Sequence, residues 1–167
     1  MIQVLWRKVN RFLVADELTP DQSWQLLSFC QARGATELTV VQLSLQGGPT
    51  TFIDRFAADM AGHARAHQLR PHLSGTSLED FTRMTALWTL DDASVDVLHR
   101  YFTDGLFMYP AGAWDVGCLE DPIFYREGEI MFGIVTHERE GMLSLTDVEH
   151  GEVAALEIRT RDEPEWL

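Results

Sequence analysis

The stretch from Asp121 to Ile158 constrains the fold of this chain more than any other. Ile123-Phe124-Tyr125-Arg126 runs into Glu127-Gly128, and a second apolar run follows from Ile130 to Val135. His137-Glu138-Arg139-Glu140-Gly141 then turns the chain into Met142-Leu143-Ser144-Leu145. Short β-rich runs separated by glycine-containing turns form antiparallel meanders. Ile130, Phe132 and Ile134 share one face of the middle strand, as a period of two requires. Thr146-Asp147-Val148-Glu149 reads as a capping box, in which a hydroxyl and a carboxylate each satisfy a free N–H at a helix start. The C-terminal third is expected to be a β-meander followed by a short helix. These residues describe a scaffold and name no chemistry.

Upstream, Thr19-Pro20-Asp21-Gln22 opens a helix, with Thr19 as cap, Pro20 at the first helical position and Gln22 closing the box. Leu26, Leu27 and Cys30 lie along one side of it, and Gly34 is placed to end it. Cys30 on that stripe reads as a small core residue. Glu37 to Leu45 reads as an interior strand, with Val41, Leu43 and Leu45 on one face and Leu38 and Val40 on the other. After Gln46-Gly47-Gly48-Pro49, a helix is predicted from about Thr51 to His67. Thr85 to Leu90 reads as a strand, and Asp91-Asp92 caps a helix carrying Val95, Leu98 and Phe102. Strand, helix, strand at this spacing allows a parallel crossover.

Three segments resist this treatment. Residues 2–14 suit a helix through Ile2, Leu5, Val9 and Phe12, or a strand through Ile2, Val4 and Trp6. Residues 69–84, with Pro71 and Gly75, read as a loop holding at most one helical turn, and 105–122 match no regular element. No repeat, low-complexity tract or linker divides the chain. The expected fold is therefore a single α+β domain spanning residues 1–167, with a mixed β-sheet, packed helices and a C-terminal antiparallel meander.

With 46% apolar residues, five Trp and nine Phe, 167 residues can bury a full core without disulfide staples. Two cysteines, Cys30 and Cys118, are too few for a disulfide framework and fit a reducing, cytoplasmic setting. Arg7, Lys8 and Arg11 interrupt any signal-peptide-like apolar run, and no stretch of about 18 apolar residues suggests a membrane span. Thirteen cations stand against 26 acids, a formal net charge of −13 at pH 7. Such a surface repels phosphate backbones and anionic lipids, which disfavours nucleic-acid and membrane partners. It would steer in a basic protein, although solubility alone accounts for many acidic surfaces.

The sharpest chemical pattern is Gly62-His63-Ala64-Arg65-Ala66-His67. Two histidines four apart on a helix can share a metal, with His72 or Asp59 as further ligands. The Glu of a His-Glu-x-x-His motif is missing. Ile53, Phe56, Met60, His63 and His67 also form one continuous stripe, so packing against the core is the better explanation of both imidazoles. Gly47-Gly48-Pro49-Thr50-Thr51 lacks the Lys of a phosphate-binding loop, and Asp54 would put a carboxylate where a phosphate sits. Cys118 could act as a nucleophile with His137 or His99 as base and Asp121 or Asp115 as orienting group. The nearby Asp115, Glu120 and Asp121 oppose the low thiol pKa this requires. His137-Glu138 falls in a hairpin turn, where a solvated pair is the default. Phe107, Tyr109 and Trp114, set among Gly105, Pro110, Gly112, Gly117 and Pro122, can wall a pocket, anchor an interface or plug the end of the sheet.

No motif calls for a cofactor, and no catalytic or metal set is assigned from the sequence. The composition favours a non-catalytic acidic cytoplasmic binding protein, immunity-like or regulatory, that meets a basic protein partner. The alternative is a metal-dependent hydrolase on His63 and His67, which needs a third ligand and an open position for water.

Overall fold

A computed structural model describes residues 8–43, 50–74, 77–109 and 117–162, with residues 74 and 77–83 described by their backbone alone. Three of the described helices begin at side-chain caps. In α1 (Pro20–Ala32) the Thr19 hydroxyl accepts the Gln22 N–H at 3.2 Å, and the Gln22 side chain accepts the Thr19 N–H at 3.1 Å. Gly34, at φ 100°, takes the left-handed conformation that ends the helix. The second helix, α2 (Thr51–Met60), is shorter than expected. Asp91 and Ser94 box the start of α3 (Asp92–Tyr101), and Thr146 and Glu149 do the same for α4 (Asp147–Ala154).

Among the described residues, eight strands form one sheet: β1 (Asn10–Val14), β2 (Glu37–Leu43), β3 (Ala64–Ser74), β4 (Ser77–Thr89), β5 (Cys118–Arg126), β6 (Glu129–Val135), β7 (Glu140–Leu145) and β8 (Thr160–Asp162). Their order is β3-β4-β2-β5-β6-β7-β1-β8, and every pairing is antiparallel. The fold is α+β. The meander of β5, β6 and β7 followed by a capped helix is as the sequence leads one to expect.

Three local expectations give way to tertiary pairing. The helix predicted to reach His67 stops at Met60, and a single 3-10 turn, Ala61–His63, leads into β3. Gly62 weakens a helix here, and the backbone beyond it pairs with β4, Ala64 opposite Trp88. Within the predicted loop at 69–84, residues 69–74 and 77–84 instead form paired strand in β3 and β4. The parallel crossover is not taken, because β3 adds a chain reversal and brings β4 back antiparallel to β2, with Thr89 opposite Glu37. At the N-terminus, the strand alternative holds from Asn10 onward, while residues 1–7 and the glycine turn at 47–49 lie outside the described residues.

The two faces of the sheet are covered differently. On one, Leu38, Phe124, Phe132 and Leu143 pack with Leu26, Leu27, Phe56, Leu98 and Val153 from the four helices. On the other, Ile123, Tyr125, Ile130, Val135 and Met142 pack with Leu87 and Leu73 from the hairpin. Strands β3 and β6 are four positions apart, roughly 19 Å in a flat sheet, yet they touch. The hairpin therefore curls back over the second face. Tyr125 donates its hydroxyl to the Pro71 carbonyl at 2.9 Å. A Cβ at Gly133 would lie 2.5 Å from Leu73 Cδ1, so glycine is what lets β3 approach.

Candidate functional site

The residues singled out by sequence do not assemble into one centre. His63 ends the 3-10 turn, and its Nδ1 lies 3.3 Å from Asp91 Oδ1 at the start of α3. The Ser94 N–H, and then His63, hold the Asp91 carboxyl below its ordinary range. His67 is exposed on β3. Four residues of extended chain span about 13 Å, so the helical step that would stack both imidazoles over one point is gone. His72 is buried, with Nδ1 3.0 Å from the Leu73 carbonyl oxygen. Asp59 accepts the Tyr101 hydroxyl at 2.9 Å and lies 3.5 Å from Arg100.

Both thiols are quenched by their surroundings. Burial pushes Cys30 well above the ordinary thiol range. Cys118 is pushed up to about 11, first by burial and then by Glu120 and Asp121. A thiolate nucleophile needs the opposite shift. His99 is held elsewhere, its ring tilted by 31° against Trp24 with centroids 3.7 Å apart. Phe107 turns inward against Phe132 and plugs the core. Tyr109 donates its hydroxyl to Glu120 at 3.1 Å. Trp114 and Asp115 lie outside the described residues.

One concave surface stands out on the solvent side of the helix layer. It measures about 590 Å³ and is lined by Asp21, Trp24, Gln25, Ser28 and Phe29 of α1, His99 of α3, and Leu156 beyond α4. The α1 residues step by three, one, three and one, tracing a single helical face. The buried residues Ser23, Leu26, Leu27 and Cys30 trace the opposite face. Sequence reading followed the buried stripe and passed over the outer one. Its signal was two large aromatics, Trp24 and Phe29, among polar neighbours on the far side of an amphipathic helix.

The electrostatics around this groove are acidic. Asp21 lies in its wall, and Asp92 and Asp96 sit on the exposed side of α3, two turns and one turn before His99 respectively. Arg33 closes one end, its guanidinium 5.7 Å from the centre of the Phe29 ring and paired with Glu152. Elsewhere Arg65, Arg70, Arg100, Arg126, Arg139, Arg159 and Arg161 are each engaged with a carboxylate. The scarce cations are thus largely occupied, and the surplus acids define the outer field. No helix among the described residues is long and apolar enough to cross a membrane. Comparisons with family models, with curated proteins and with solved structures return no match.

Proposed function

We propose that this chain is a non-catalytic binding protein that engages a basic protein partner through the outer face of α1. The observation that carries this reading is the groove itself. Trp24, Phe29 and Leu156 offer half-buried apolar surface beside the carboxylate of Asp21 on a strongly acidic chain. Aromatic side chains in such settings are the usual anchors of protein interfaces. An arginine or lysine from a partner could lie against the Trp24 ring and pair with Asp21, which combines cation–π attraction with an ion pair. The surrounding acids would accelerate encounter and fade in effect as salt rises. This chemistry suits an inhibitor or regulator of a basic protein, in the manner of immunity proteins.

The test is a pull-down from lysate of the source cells at low and moderate salt, with purified wild-type protein as bait. A basic partner retained at low salt and weakened at moderate salt supports the proposal. Retention of nothing at either salt, together with substrate turnover by the purified protein, would overturn it.

A further inference from the structure

The start of β5 and the turn after β6 carry an arrangement that the groove does not use. Glu120 and Asp121 are consecutive, and in a regular strand their side chains would point to opposite faces. Here β5 holds one residue too many. Thr39 stands opposite Ile123 while Val41 stands opposite Glu120, so Asp121 and Pro122 together face Val40. Asp121 takes a φ of 48°, and it is the one non-glycine residue with positive φ inside a strand among those described. Such bulges re-aim side chains. This one brings both carboxylates to the same place, where His137 joins them, with one donor atom from each residue lying within 4.8 Å of the other two.

Charge makes this grouping unusual within the molecule. Buried Glu37 is answered by Arg65 and Arg70, and buried Glu149 by Arg126. Asp121 is buried and Glu120 half-buried, but none of the recorded ion pairs among the described residues reaches either of them. Tyr109 donates to Glu120, and the Thr136 N–H donates to Asp121 at 2.7 Å. Those neutral donors satisfy lone pairs without supplying positive charge. Two adjacent carboxylates withdrawn from water without a countercharge favour capture of a cation.

We infer that Glu120, Asp121 and His137 form a site for one divalent transition-metal ion. One imidazole nitrogen with carboxylate oxygens suits Zn²⁺ or Mn²⁺, whereas Mg²⁺ and Ca²⁺ favour all-oxygen shells. Donors bound at about 2.0–2.2 Å in a tetrahedral shell lie roughly 3.4 Å apart, so small side-chain rotations inside the 4.8 Å envelope close the site. Water would complete the shell. The bound ion would tie the β6–β7 turn to the start of β5 and stabilise the fold by mass action.

The experiment is equilibrium dialysis of tag-free, chelator-stripped protein against Zn²⁺ and against Mn²⁺, with Mg²⁺ and Ca²⁺ as comparators and thermal melting in parallel. Wild-type protein is expected to take up one equivalent of Zn²⁺ or Mn²⁺ and melt at a higher temperature with it. His137→Ala and Glu120→Gln alter groups that are not fully buried. Each is expected to weaken uptake by at least about tenfold, the loss typical of disturbing even supporting residues at metal sites, and to abolish the melting shift. His67→Ala is expected to behave as wild type. The inference is overturned by no saturable uptake, by uptake unchanged in both variants, by tighter binding of Mg²⁺ or Ca²⁺, or by loss confined to His67→Ala.

Discussion

Among the described residues, one face of the sheet is covered by four helices and the other by the sheet's own β3–β4 hairpin, folded back. A helix has a second side that the core does not use. Packing by α1 occupies Ser23, Leu26, Leu27 and Cys30, which leaves Trp24, Gln25, Ser28 and Phe29 free to shape a groove. The hairpin has less freedom, because the residues that cover the second face also belong to the strand ladder. Its chief exposed apolar feature in the described side chains is the cross-strand pair Leu69 and Met84. The contrast teaches where recognition can be placed at little cost to stability: outside the helix layer.

The largest effect that would sharpen this contrast lies beneath the helices. Arg126 on β5 reaches Glu149 on α4 at 2.6 Å, and both side chains are nearly buried. Replacing Arg126 with Ala removes the guanidinium that answers that carboxylate. Chemical denaturation should show a loss of about 3–5 kcal/mol, the cost typical of breaking a buried pair. A change below about 1 kcal/mol, the value of surface pairs, would mean that the pair does not fasten the helix layer.

The hairpin side offers a smaller perturbation. Gly133→Ala places a methyl group against Leu73 and forces the curled ribbon outward. Overpacking of this kind costs about 1–3 kcal/mol, and hydrogen exchange should accelerate in β3 and β4 before it does in the helices. Uniform acceleration across both layers would contradict the separate covers.

Acid titration gives the mildest test. Burial raises the Glu149 pKa, but hydrogen bonds from Arg126 and the Thr146 N–H outweigh that, and the net shift is downward. A carboxyl with a depressed folded-state pKa adds stability that is fully present above its unfolded pKa, about 4.3. That stability is lost as pH falls through the lower, folded value. Melting curves from pH 6 down to pH 3 should therefore fall less steeply for Glu149→Gln than for wild type. An unchanged slope would remove Glu149 from the acid response.

Much of the scaffold was legible because local and tertiary preferences agree. The boxes at Thr19 and Thr146 and the stop at Gly34 each satisfy backbone groups wherever the chain goes. The alternation expected in β6 does not hold throughout: a register shift sets Tyr125 opposite Ile130 and Phe124 opposite Phe132, so Ile130 packs on the second face while Phe132 and Ile134 pack on the first. The hairpin was not legible. Its sequence mixes Arg65, His67, Gln68 and Arg70 with Pro71, which hides the alternation of a half-buried strand. The stripe Ile53, Phe56 and Met60 is buried as a helix predicts, but its apparent continuation through His63 and His67 was a coincidence of spacing. The bulge at Asp121 could not be seen either, because only the register against β2 reveals the extra residue. The outer face of α1 was legible in principle from the steps between Asp21, Trp24, Gln25, Ser28 and Phe29.

The central claim is that the helix layer, and not the hairpin, carries the recognition surface. Its most direct test compares Trp24→Ala with Leu69→Ala, measuring the affinity of each for the partner captured by wild-type protein, with melting temperatures alongside. Loss of an interface anchor costs about 2 kcal/mol or more, roughly 30-fold in affinity. Trp24→Ala is expected to show that loss while keeping its fold, and Leu69→Ala is expected to bind as wild type does. Equal binding by wild type and Trp24→Ala, or a loss confined to Leu69→Ala, would contradict the account.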